Sequence, residues 1–185
     1  MRWTILLLVA AVVLGLQQAV QASLAVGQTS IAPSFAIPLV VFVALFASPM
    51  SAMWTALLIG LAIDLASPRG TGDLIVAGPN ALGYLIGAYF VLTVRALMYR
   101  RNPLTLMVLS IIACMLAEVF VVAVHSIRAM YSDAYAWSGL TQLGQRMLGA
   151  LYTGIAGLVM SFVLFPMIPL FGFHDPRERR FGARK

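Results

Sequence analysis

From Trp3 to Ile63 the chain carries no Asp, Glu, Lys or Arg, and the first charge after Arg2 is Asp64. A soluble domain draws about a quarter of its residues from the charged types. Here the whole chain has 10% charged and 62% hydrophobic residues. The solvent that suits such a surface is lipid, and in lipid a backbone must satisfy its own hydrogen bonds, which it does as helix. Apolar runs recur at Trp3–Leu24, Ile31–Ala47, Met50–Ala66, Ala77–Met98, Leu104–Ile127 and Met147–Phe173. About 20 helical residues cross a hydrocarbon core. The expected fold is therefore an all-α integral membrane protein of about six transmembrane helices. Residues 1–173 form one helical domain, and 174–185 form a basic tail.

The first run has features of a signal peptide: Arg2, an apolar stretch from Ile5 to Leu16, and small residues at Ala19 and Ala22. Its apolar character continues to Val26, however, and five further runs follow, so it is expected to stay as a true first span. The second and third runs are short, and Pro33 and Pro38 interrupt the second. They form either two full spans or a re-entrant hairpin.

Net charge is +6, yet the bases do not cluster on a soluble module, so nucleic acid is not an expected partner. They flank the apolar runs instead. Alternating the runs places nine of the 12 on one side: Arg2, Arg95, Arg100, Arg101, Arg177, Arg179, Arg180, Arg184 and Lys185. Arg69, Arg128 and Arg146 fall on the other. An excess of Lys and Arg marks the cytoplasmic side, so both termini are expected in the cytoplasm. Tyr131, Tyr135 and Trp137 cluster in the longest outer loop, as interfacial aromatic residues do. The basic tail suits anionic membrane lipid.

Few residues carry chemistry. A lone Cys114 inside an apolar run excludes a disulfide framework and reads as a small buried hydrophobe. There is no Gly-x-Ser-x-Gly, no His-Glu-x-x-His and no phosphate-binding Gly-rich loop, so no enzyme is expected and no cofactor. One His with two scattered acids makes a poor metal site, and none is expected.

Asp64 shares a four-residue spacing with Ala52, Ala56 and Gly60, so all four lie on one helix face. A carboxylate at membrane depth costs about 2.5–3.5 kcal/mol unless something answers it. Asp64 therefore points into protein: it caps or hydrogen-bonds a neighbouring helix, or it meets a partner or ion directly. On the fifth run Ser110, Cys114, Glu118 and His125 form one stripe, and Glu118 is expected to pair with a polar group in the bundle or on a partner chain. Asp64, Glu118 and His125 all fall in the outer half. Gly83 and Gly87 in the fourth run, and Gly149, Thr153, Gly157 and Ser161 in the sixth, are helix-packing faces or docking faces for a partner helix.

The segment Gly60-Leu61-x-x-Asp64-Leu65-x-Ser67, followed by Gly78-Pro79-Asn80-Ala81-Leu82-Gly83-Tyr84-Leu85-Ile86-Gly87, resembles the MreD family, the membrane subunit of the bacterial rod-shape (elongasome) complex. The resemblance implies a six-helix fold like that of the substrate-binding subunits of vitamin transporters. It also implies a scaffold that associates with an MreC-like bitopic protein and, through it, with MreB and a RodA-type wall synthase. The alternative function is a substrate-binding membrane subunit of a small-solute transporter, with Asp64, Glu118 and His125 lining its pocket. The topology is testable by thiol labelling of single-cysteine variants in a Cys114→Ala background. Labels added outside intact cells should reach a cysteine in the Tyr131–Trp137 loop and miss Ala183→Cys; external labelling at position 183 would reverse the assignment.

Overall fold

The computed structural model describes residues 2–24, 31–66, 77–99, 101–130 and 139–173. Its elements are α1 (Trp3–Leu24), α2 (Ala36–Phe46), α3 (Pro49–Ala66), α4 (Pro79–Val94), α5 (Pro103–Ala129), α6 (Gly139–Leu164) and a single turn, α7 (Ile168–Phe171). The described residues are all helix and connection. α1, α3, α5 and α6 are long and apolar enough to cross a membrane, whereas α2 and α4 are shorter apolar helices. The runs Arg69, Tyr131–Trp137 and 174–185 lie outside the described residues.

α3, α4, α5 and α6 pack each against the next, forming a wall in chain order. α2 lies against all four of them and also against α1, so it is the hub of the bundle. Its sequence explains this position. Ala36 to Leu45 has no polar side chain, and every one of these residues is buried. A helix that is apolar all round is a core helix or a membrane span, and the lack of any polar side chain lets this one be enclosed on every side. α1 closes the open side of the wall with Leu6, Val9, Ala10, Val13 and Gln17 turned inward, while Leu7, Leu8, Val12 and Leu16 face outward. α1 is thus a packed part of the bundle.

Three helix boundaries depart from the apolar runs. The second run is helical only from Ala36: residues 31–34 are not helical and Phe35 is a bend that leads into the helix. Ala32 precedes a proline, which disfavours helix there, while Pro38 falls in the first turn of α2, where its missing N–H costs nothing. This non-helical leg and the helix together run down α6: the Ala32 carbonyl lies beside Gly149 and Pro38 beside Gly157, and the Phe46 ring meets Phe165. From Gly149 to Phe165 is about 24 Å at helical rise. Residues 32–46 therefore run along α6 in one direction, and the chain then turns at Ala47 and Ser48 into α3.

The second departure is α6, which begins at Gly139, eight residues before its apolar run, and ends at Leu164 ahead of Pro166. Arg146 is consequently a helix residue rather than a loop residue. The third is α4, which stops at Val94, so Arg95 caps it from the end of the apolar stretch. Beyond α6 the chain turns through α7, and Gly172 takes the left-handed conformation, φ 61°. This brings Phe171 and Phe173 against Phe42, with ring centroids 5.6 and 5.8 Å away. The Arg2 amide donates to the Phe171 carbonyl, so residues 2 and 171 lie at the same end of the bundle.

A helix that starts and stops inside protein leaves orphan N–H and C=O groups that lipid cannot satisfy. Two side chains from other helices meet those of α2. Gln17 Oε1 accepts from the Phe35 and Ala36 amides at 3.1 and 3.0 Å. Thr153 Oγ1 accepts from the Ser34 amide at 2.9 Å, and the Ser34 hydroxyl reaches Tyr84 Oη at 3.3 Å. At the other end the Arg95 guanidinium donates to the Ala44 and Ala47 carbonyls at 2.9 and 2.8 Å. A cation there also faces the negative end of the helix dipole. Orphaning a buried donor costs about 1–3 kcal/mol. Gln17→Leu, which keeps the bulk but loses the acceptor, should therefore lower stability in detergent by about 2–4 kcal/mol, whereas Gln17→Glu should retain most of it. Thermal unfolding of the purified variants is the measurement.

Candidate functional site

The intramembrane acids and the small-residue faces are the residues that the chain pattern singles out. Asp64 ends the inward face of α3: Ala52 and Ala56 are fully buried, Gly60 is buried, and Asp64 is 5% exposed. Its carboxylate sits over the start of α4. Oδ2 accepts from the Gly78 and Ala81 amides at 2.8 and 3.1 Å, and Oδ1 from the Asn80 amide and side-chain amide at 3.2 and 2.7 Å. Four donors and the positive end of the α4 dipole answer the charge. Asp64 thus caps the start of the neighbouring helix α4.

Gly60 makes the cap reachable. A Cβ there would lie 2.5 Å from the Ala81 Cα and 2.7 Å from the Asn80 carbonyl oxygen, both backbone atoms. Only a hydrogen lets α3 come this close to α4. One turn later Asp64 meets the same two residues, so Gly60 and Asp64 act as a clasp on Asn80–Ala81. Gly78 stands outside the ordinary L-residue region at φ 128° and aims the incoming chain at the carboxylate.

Glu118 forms an ion pair with Arg146, joining α5 to α6. Both side chains are partly buried. The partner that Glu118 needs is thus in the same chain, and it is one of the three bases that the charge pattern assigns to the outer side. His125 hydrogen-bonds the Val121 carbonyl through Nδ1 at 2.8 Å, within its own helix. Asp64 and Glu118 serve different helix pairs, α3–α4 and α5–α6. Neither the hollow lined by Met50, Trp54 and Leu85 nor that lined by Arg101, Phe165 and Phe173 contains Asp64, Glu118 or His125. Among the described residues no three His, Cys, Asp or Glu side chains are placed to hold a metal ion.

The glycine faces close on the chain itself. Cβ atoms at Gly83 and Gly87 would meet the Ala117 and Ala113 carbonyls at 2.9 and 3.0 Å, so this pair seats α4 on α5. On α6, Gly149 faces the Ala32 carbonyl and Gly157 faces Ser110 and Pro38. Thr153 and Ser161 are buried between them. Among the described residues these glycine faces pack against neighbouring segments of the same chain. Cys114 is buried, as a small hydrophobe would be.

The segment that carries the sequence resemblance, residues 60–87, is therefore the α3–α4 clasp together with the α4–α5 seat. A family model for the rod shape-determining protein MreD matches residues 1–172. The chain belongs to the MreD family. No curated protein and no solved structure matches it. Membership makes the chain a rod shape-determining, multi-pass membrane protein. Within this MreD fold, two groups that hold the hub, Gln17 and Arg95, were not singled out by pattern. Gln17 had a weak signal: it is one of three glutamines in an apolar run, with Gln18 and Gln21, and such a group needs a partner, but the run does not mark which of the three meets one. Arg95 had none, because by position it reads as a topology base.

The clasp gives a pair of expectations. Asp64→Ala removes an acceptor from four donors and should cost about 3 kcal/mol, with Asp64→Asn recovering part of it. Gly60→Ala should destabilise comparably, because backbone must move. Gly144→Ala, with nothing within 4 Å of the new methyl, should be neutral or stabilising by up to about 1 kcal/mol. Abundance in membranes and thermal unfolding of the purified variants measure all four.

Proposed function

We propose that the chain is a non-catalytic scaffold subunit of the bacterial cell-shape and peptidoglycan-elongation complex. It sits in the inner membrane with both termini in the cytoplasm and binds an MreC-like bitopic protein through helix and loop contacts. Through that protein it is linked to MreB and to a RodA-type wall synthase. The observation that carries this reading is how the intramembrane polar groups are used. Asp64, Glu118, Gln17 and Arg95 are each bonded to the bundle's own backbone or to each other's helices. A bundle braced in this way has a fixed shape, which is what a partner needs, and its polar groups are not gathered for turnover or for a solute.

In this reading the acids serve partner binding indirectly. Asp64 fixes the outer α3–α4 corner, Glu118 fixes the outer α5–α6 corner, and partly exposed His125 lies beyond it on α5. The lipid-facing side offers apolar surface, with Leu58, Leu61 and Leu65 on α3 and Leu82 and Ile86 on α4 all exposed. Affinity purification of the tagged full-length chain from native membranes tests the proposal. Recovery of an MreC-like chain, with the wall synthase at lower yield, is the expected result. Recovery of an energising ATPase, with neither of these, would replace the scaffold by a transporter subunit. Asp64→Ala should lower the amount of chain in the membrane and leave partner recovered per molecule unchanged.

A further inference from the structure

At the end of the bundle where residues 2 and 171 meet, a hollow of about 560 Å³ opens beside α7. Phe165, Ile168, Pro169, Gly172 and Phe173 form its walls, and Arg101 stands at its rim. The apolar wall is rigid: Phe171 and Phe173 stack with centroids 5.4 Å apart, and Phe46 stacks on Phe173 at 6.0 Å. A second base is close, because the Arg2 side chain runs alongside Gly172. Arg2 and Arg101 are both exposed. The acids among the described residues, Asp64 and Glu118, are engaged elsewhere, about 24 Å away along α4 in the case of Asp64. No carboxylate among the described residues therefore neutralises this rim.

An apolar slot with a cationic rim at the end of a membrane bundle has the pattern of an amphiphile with an anionic head. Basic pockets of this kind between transmembrane helices hold lipid headgroups. We infer that the hollow is a binding site for one anionic phospholipid, its phosphate on Arg101 and Arg2 and the start of an acyl chain against Phe165, Ile168 and Phe173. The site is independent of the scaffold reading, since it needs only this chain and a bilayer.

The test is a titration of phosphatidylglycerol into the delipidated full-length chain in detergent, with bound lipid counted by native mass spectrometry and phosphatidylcholine as the comparison. One phosphatidylglycerol should bind in preference to phosphatidylcholine. Arg101→Gln, at an exposed position, should weaken it about fivefold, which corresponds to the ~1 kcal/mol of one base near an anionic headgroup. Ile168→Trp, which fills the slot and keeps the charge, should also weaken it. Equal binding of the two lipids, or unchanged phosphatidylglycerol binding by Arg101→Gln, would overturn the site. Displacement of the lipid by millimolar inorganic phosphate would assign the rim to a soluble anion and likewise overturn it.

Discussion

The structure depends on one requirement: the backbone at the two ends of α2 has to find hydrogen bonds where there is no water. α2 has eleven residues, about half the length that a bilayer asks of a helix. The residues before it, 31–34, are not helical, and non-helical backbone is tolerated at membrane depth only when protein satisfies it. Gln17 from α1, Thr153 from α6 and Tyr84 from α4 converge on the upper end, and Arg95 takes the lower. The positions of α1, α4 and α6 around the hub follow from where these side chains must reach.

A second level of organisation lies in the wall. Each neighbouring pair is joined by a close approach of backbones, by a polar bond, or by both. For α3–α4 the close approach is Gly60 on Ala81 and the bond is Asp64 on the α4 terminus. For α4–α5 the approach is Gly83 and Gly87 on Ala117 and Ala113. For α5–α6 it is the Glu118–Arg146 pair. Van der Waals fit and buried polar contacts are the forces available between helices in lipid, where burial against Leu gains nothing over burial against acyl chains. The same residues would suggest catalysis or transport in a water-filled site. Here their partners are helix termini and one another.

The class of fold was legible because it rests on composition: a long charge-free stretch leaves helices as the sole solution. The inward face of α3 was legible as well, since Ala52, Ala56, Gly60 and Asp64 repeat at helical spacing. Helix boundaries were less so. Hydropathy sees the whole of Ile31–Ala47 as apolar and cannot register that the helix begins only at Ala36, because the cause is Pro33 together with acceptors on α1 and α6. The start of α6 was missed for the opposite reason: Gly139 to Arg146 is polar, and its helix is supported by packing on α5. Arg95 shows the sharpest limit. A base at a helix end satisfies the topology rule whether or not it also caps a different helix, so the pattern gives no reason to look further.

The reach of one bond sets a condition on synthesis. The Ser34 amide and its acceptor Thr153 are 119 residues apart in the chain. At a translation speed of 5–20 residues per second, Thr153 leaves the ribosome on the order of ten seconds after Ser34. For that interval the segment destined for the centre of the bundle has no interior to enter, and its donor must be met by water or by a passing host. The hub of the finished protein is thus seated only once α6 has followed it out, and a helix made about ten seconds later is the one that lets it in.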